Sequence, residues 1–545
     1  MRAITLFAVR AGLMLSVAAR LPAQAHEEHA EHAEQLGHVR FATSCSPEAE
    51  RRFEQGVALL HSFWYERASD TFQAVVAADS ACAMGYWGQA MSLFHPLWIP
   101  PAVDPAAGLA AAERGLTLAR TARERAYGSA VRSYYAAYST TDHKTRLGAY
   151  ALAMQGVSQR YPDDREAKIF YALALIALGL ANPTDTTFAY QRQADAILEP
   201  LFKLEPEHPG LAHYLIHGND APQLARHGLY AARHYAAIAP DVPHAQHMPS
   251  HIFTRLGLWD DDIASNMRSA AAGRQFEAER HLNALWDQTG HAWDYLVYAD
   301  LQQGRDAAAK QVVDEAAGVT AGYPPGSLVN AYALAAIPAR YALERGRWSD
   351  AARLAVRPAP EWPATEALTH FARAIGTARA GDTALARAEI AALSRIESEL
   401  SALRGGQVYD WTSQVKIQRL AASAWLERAA GNRAEAVRQA TAAADLEDRT
   451  LKHPITPGAV LPARELLGDL LLELGRPEEA ATAYAASLVN QPGRARSVFG
   501  AARAAELRGD LGTARARYQE FLTLMQQGDG DRPEVAIARG ALSRR

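Results

Sequence analysis

Residues 463–492 read ARELLGDLLLELGRPEEAATAYAASLVNQP, and this stretch decides the fold. Small residues at Gly468, Gly475, Ala480 and Ser487 alternate with the larger Leu471 and Tyr484, and Pro492 closes the run. The unit that follows keeps register. Gly475 to Gly509, Ala480 to Ala514 and Tyr484 to Tyr518 are each 34 residues apart, with Phe521 at the next apolar position. Glycine between two apolar-periodic segments marks a turn, while small residues let paired helices approach and an aromatic ring fills the hole beside them. One such hairpin cannot bury its own apolar face, so neighbours must stack into a superhelix.

A helix–turn–helix of this period is the tetratricopeptide repeat. The expected fold is therefore all-α, a right-handed solenoid of antiparallel helix pairs. Working outward, Gly56, Ala68 and Phe72 mark a first unit, and Ala194, Leu198, Leu201 and Pro206 another. Gly228, Ala232, Tyr235 and Pro240 close a further one, and Gly257, Gly304, Gly346, Gly381 and Gly431 fall at inter-helix turns. The proline-rich stretches 322–326, 357–363 and 453–458 end helices and read as loops between repeats. At 545 residues the chain exceeds the roughly 250–300 that one compact core supports. The first loop is taken as a boundary between an array over 47–320 and a plainer one over 327–525, with 526–545 as a flexible tail.

The first twenty-five residues, with Arg2, an apolar run and Ala23-Gln24-Ala25, read as an export signal cleaved after Ala25. The expected location is periplasmic or secreted, and no later apolar run is long enough to span a bilayer. Residues 26–46 open with His26, His29 and His32 among glutamates and read as a disordered leader. Export makes Cys45 and Cys82, the only cysteines, a disulfide candidate that would contribute roughly 3–4 kcal/mol by chain entropy. A net charge of −4 with interspersed signs argues against a nucleic-acid surface.

Several words outside the repeat pattern are specific: Cys82-Ala-Met-Gly-Tyr-Trp-Gly88, His95-Pro-Leu-Trp98, His213-Tyr-Leu-Ile-His217, His247-Met-Pro-Ser-His-Ile252 and Asp294-Tyr-Leu-Val-Tyr298. Through them residues 41–302 resemble a group of exported bacterial tetratricopeptide-repeat proteins of uncharacterised function. The resemblance implies the repeat fold and no particular reaction.

Chemistry concentrates in residues 207–260, which hold His208, His213, His217, His227, His234, His244, His247 and His251 of the chain's 19 histidines. His213 and His217 are four apart, as are His247 and His251, so each pair shares a helical face. Stacked inner helices would bring both pairs to one cleft, where imidazoles suit a divalent transition metal. Asp220, His291, Asp294, Tyr298 and His244 are candidates for further ligands or supporting groups. His61, His95 and Trp98 sit among aromatics and read as core or groove wall. His208, His227 and His234 read as surface or packing residues.

Other motifs fail. The chain has no H-E-x-x-H, phosphate-binding glycine loop, G-x-S-x-G or haem C-x-x-C-H, and Ser413-Gln-Val-Lys416 lacks its partner motifs. Two functions remain. One is a scaffold holding a peptide or protein partner in its concave groove. The other is a metalloprotein, hydrolase or oxidoreductase, built on His213, His217, His247 and His251.

Overall fold

In the computed structural model, residues 34–98, 103–183, 185–403 and 409–544 are described. Helix starts follow local chemistry. Ser46, Asp142, Asp164, Asp382 and Asp510 each cap a helix by accepting a backbone N–H. Thr121 and Glu124 form a reciprocal capping box. Helix ends follow glycine: Gly475 and Gly509, one repeat apart, both take the left-handed φ (74° and 77°) that reverses the chain between paired helices.

Antiparallel helices then stack by fitting rings into glycine gaps, and the same fit recurs far apart. Phe72 lies between Gly56 and Gly88, where a Cβ would come within 2.7 and 2.2 Å of its ring. Tyr484 lies between Gly468 and Gly500 at the same two distances. This is an all-α solenoid of tetratricopeptide-type helix pairs. Among the described residues the only strands are Leu285–Trp286 and Gly322–Tyr323, which pair in parallel. None of the described helices is long and apolar enough to cross a membrane. Cys45 and Cys82 are joined, tying the segment before the helix Pro47–His61 to the cap of the helix Ala83–Ser92.

Residues from Gln35 onward form one compact unit. The loop at 322–326 divides nothing, because Arg340 on the helix Leu328–Glu344 pairs with Asp294 on the helix Asp287–Gln302 at 2.7 Å. Residues 35–46 are packed rather than disordered, since Leu36, Val39 and Phe41 are buried and Phe41 meets Phe53, Trp87 and Tyr127. Residues 1–33, with the export signal and the histidine-rich start of the leader, lie outside the described residues. The tail is not flexible throughout: it carries the helix Pro533–Ser543, and Arg532 Nε donates to Asp306 Oδ2 at 3.0 Å.

That last contact belongs to a closure. Trp259 Nε1 donates to the Gly493 carbonyl at 2.9 Å, and Gln302 Oε1 accepts from the Ala495 amide at 3.1 Å. The final repeats therefore meet the helices Trp259–Glu279 and Asp287–Gln302 from the middle of the chain. The loop after Glu447 runs into the space so enclosed. Tyr295 donates to the carbonyls of Pro454 and Thr456, and Arg340 donates to Thr456, Gly458 and Ala459. What read as one more inter-repeat loop is a strap laid across the inner face.

Candidate metal centre

Three inner segments carry the histidines. Pro209 starts the first helix, Pro209–Gly218, whose inward face presents His213 and His217. The second segment is two short helices, Pro243–His247 and Pro249–Leu256, joined through Met248, which keeps helical angles. Pro249 falls at a first-turn position, where its missing N–H costs nothing, so His244, His247 and His251 stay on one continuous path. The third, Asp287–Gln302, is buried at every residue and contributes His291.

His213, His217, His247 and His251, expected around one ion, fall into two adjoining groups. The structure sorts them into two triads, His213/His217/His244 and His247/His251/His291, each with its ligand atoms within 4.8 Å of one another. His244 and His291 are therefore as well placed as the i,i+4 pairs. The triads adjoin: ring centroids are 6.0 Å apart both for His217–His251 and for His244–His247.

Hydrogen bonds fix which nitrogen each ring turns inward. His213 Nδ1 lies 2.6 Å from the His61 carbonyl, a pure acceptor, so Nδ1 carries the proton and Nε2 the lone pair. His251 Nδ1 meets Asp220 Oδ2 at 2.9 Å, with the same consequence. His247 Nδ1 meets Asn266 Oδ1 at 2.6 Å; the Asn266 amide is oriented by donating to the Asp262 carbonyl and carboxylate. His244 Nδ1 meets Gln288 Oε1 at 2.9 Å. Nε2 of His213, His217 and His244 and Nδ1 of His291 have no partner.

His247 Nε2 and His251 Nε2 face each other at 3.0 Å. Both rings already donate through Nδ1 to oxygens, so two lone pairs point at one another. That arrangement repels unless a cation lies between them. Burial works against a proton there, lowering His247 well below its ordinary value and lowering His251 against the opposing pull of Asp220.

Around this core the charges are paired. Burial works to raise Asp220, but Lys452 and Arg255 outweigh it and hold its carboxyl well below the usual range. Burial brings Lys452 down to about 8, and its Nζ lies 2.8 Å from Asp220 Oδ2, anchoring the strap beside His251. Asp294, expected near the ligands, is instead the counter-ion of Arg340, and Tyr298 donates to Gln491 Oε1 at 3.1 Å. Trp98 sets its ring edge-on to His244 and His291 as a wall. His95 stacks on Tyr65 and meets the Ser92 carbonyl, away from both triads.

A third cluster, His61/Glu166/His208, was not read from the sequence as a unit. Its groups are bonded to one another except at His208 Nδ1, which has no partner. Glu166 bridges His61 and His208 at 2.8 Å each, and His61 Nδ1 meets Tyr214 at 2.9 Å. His208 is thus a buried packing residue, while His227 and His234 are exposed.

No family model matches this chain, and no curated protein matches it. Solved structures similar to it include an IFIT1 monomeric mutant with Gppp-AAAA, at 12% identity over 81% of this chain and 90% of that one, TM-score 0.37. Yeast Tom70 is similar at 11% identity over 91% and 95%, TM-score 0.28. The APC/C hetero-tetramer Cut9–Hcn1 is similar at 12% identity over 91% and 97%, TM-score 0.29. Superpositions this loose say nothing about ligands, and the site rests on its own geometry.

Proposed function

We propose that this protein is an exported helical-repeat scaffold holding a transition-metal ion on His247, His251 and His291. The observation that carries this reading is the pair of opposed Nε2 lone pairs 3.0 Å apart. Two nitrogens on a common ion at about 2.0–2.1 Å sit roughly this far apart. Asp220 and Asn266 play the part of outer groups that fix ring tautomer and direction. The donor set is all nitrogen, which suits zinc, copper, nickel or iron and disfavours magnesium, calcium and manganese. Export rests on the first twenty-five residues, and a mature protein beginning at His26 is the outcome that supports it.

The test is metal content of untagged full-length protein, with the probe ions zinc(II) and copper supplied separately by equilibrium dialysis. A tightly held ion that His251→Gln loses and His227→Gln keeps supports the site. Protein that stays metal-free with both ions removes it.

A partner-binding role has one observation of its own. A groove of about 460 Å³ in the C-terminal repeats is lined by Trp348, Phe499, Arg379, Arg496, Arg503 and Arg532. Glu344, Asp469, Glu473 and Glu534 line it too and the arginines are paired with carboxylates, so what it offers a peptide is its aromatic faces. Selection from a displayed peptide library, with loss of binding in Trp348→Ala, would support it.

A further inference from the structure

We infer that the centre is binuclear, with a second ion on His213, His217 and His244, and that the pair is copper in its monovalent state. This rests on the metal reading above, but a separate observation carries it. Nε2 of all three residues has no partner, and His213 and His244 are buried. The His213 tautomer is set by the His61 carbonyl, and Gln288 holds His244 in the same sense, so the free lone pairs converge. A hydrogen-bonding role for these rings leaves two inward acceptors, on His213 and His244, and the buried Nε2 of His217 unsatisfied, a standing cost that one ion removes. In His61/Glu166/His208, by contrast, a carboxylate bridges the two rings, and the one unmatched nitrogen, His208 Nδ1, is single rather than one of three within reach of one another.

The triads adjoin closely. Ring separations between them, 6.0 Å for both His217–His251 and His244–His247, are no longer than the 6.3 Å from His217 to His244 inside the first triad. His217 alone of the six is partly exposed, so it is the ligand nearest solvent.

Charge selects the metal. No carboxylate belongs to either triad, and the one acid bonded to a ligand ring, Asp220, is already matched by Lys452 and Arg255. Two dications would place four positive charges side by side without an anionic ligand, and Coulomb repulsion rises steeply as the dielectric falls. Among the ions imidazole favours, copper alone is stable as a monocation, and Cu(I) accepts three nitrogens without a fourth ligand.

The experiment uses the untagged full-length chain with His26→Ser, His29→Ser and His32→Ser, so that leader imidazoles do not count. It is loaded anaerobically with Cu(I), or separately with Zn(II), dialysed, and measured by native mass spectrometry. The expected result is two copper ions per chain, falling to one in His213→Gln and to one in His247→Gln. Oxidation with ferricyanide should then give a Cu(II) resonance that integrates to well under two spins, because the ions are close. One ion per chain, lost only with the second triad, overturns the pair and leaves the single-ion reading intact. Two zinc ions without copper overturn the choice of metal, and two full isolated Cu(II) spins overturn proximity. Protein that takes up neither ion overturns both readings. The count in the parent chain decides the matter, so a variant that fails to fold does not protect the proposal.

Discussion

Residues 209–302 and 463–521 are built from the same helix pair, yet they bury different chemistry. In the later repeats the fit of Tyr484 between Gly468 and Gly500 is local, and most inward positions are alanine or leucine. In the earlier ones the helix Asp287–Gln302 is buried on every face and still carries Asp287, Gln288, His291, Asp294 and Asp300. The difference is position in the superhelix. Where the turn closes on itself and the 449–462 strap crosses the inner face, a surface that would be wet becomes interior. Every polar group there then needs a partner. An inner face of a solenoid is a groove only until something fills it.

The strap is where this contrast is easiest to break. Arg340 is fully buried, pairs with Asp294, and donates to Thr456, Gly458 and Ala459. Arg340→Ala strands a buried carboxylate and frees the strap, and losing one partner of a buried pair costs about 3–5 kcal/mol. Urea unfolding should show a loss of that size, with the histidine cluster becoming accessible to diethyl pyrocarbonate. A change under 1 kcal/mol would mean that the strap does not close the interior.

The disulfide comes next. Cys45 and Cys82 fasten the end of the array, where the first pair has a neighbour on one side only. Changing both to alanine should cost roughly 2–4 kcal/mol, seen as a lower Tm and as faster hydrogen exchange in residues 47–92. If the later repeats lose protection equally, the two regions unfold as one and the contrast between them is weaker than drawn.

How much of this was legible in the sequence follows from range. The 34-residue register at Gly475/Gly509 and the small–large rule at Gly56/Phe72 are local, so they can be read. The i,i+4 histidine spacings are equally local. His244 and His291 enter the triads only because three inner segments lie side by side, and no spacing encodes that. The strap carries the same proline signal as any loop between repeats; its inward course depends on Arg340 and Tyr295 reaching across more than a hundred residues. Leu36, Val39 and Phe41 did offer a signal, apolar residues recurring in a stretch otherwise read as polar leader.

Acid should separate the regions by a smaller margin. Burial lowers His95 and His143 to about 4 and His453 to about 3, with Arg146 adding to the effect on His143 and Lys452 to that on His453. Each folded pKa lies below the unfolded value near 6.5, so the unfolded chain binds more protons in between. Their contribution is therefore complete above pH ~6.5 and is lost as the pH falls toward 4 and 3. Each group weakens folding by up to about 1.4 kcal/mol per pH unit in that window. His453→Gln should flatten the fall in stability of the metal-free protein between pH 6 and 4, whereas an unchanged slope would place His453 in water rather than packed from the strap against Trp411 and Tyr409.

The smallest effect tests the plain region on its own terms. Asp382 accepts from the Leu385 amide at 3.0 Å and caps the helix Thr383–Ala402, whose outer side is exposed. Asp382→Ala should cost about 1 kcal/mol, the usual value of such a cap. In a repeat array that loss is shared with nearest neighbours only. Faster exchange should therefore be confined to residues 363–429, and metal uptake and exchange in residues 209–302 should be unaltered. The local outcome follows from how the helix is held: its buried residues, Ala386, Glu389, Leu393, Ile396 and Leu400, lie along one face, and His370 and Arg373 of the preceding helix meet Glu389. Nothing in that set reaches the strap or the histidines, so a cap mutation that loosened the centre would show the closed turn to be one cooperative body, with no region free to behave as a simple stack.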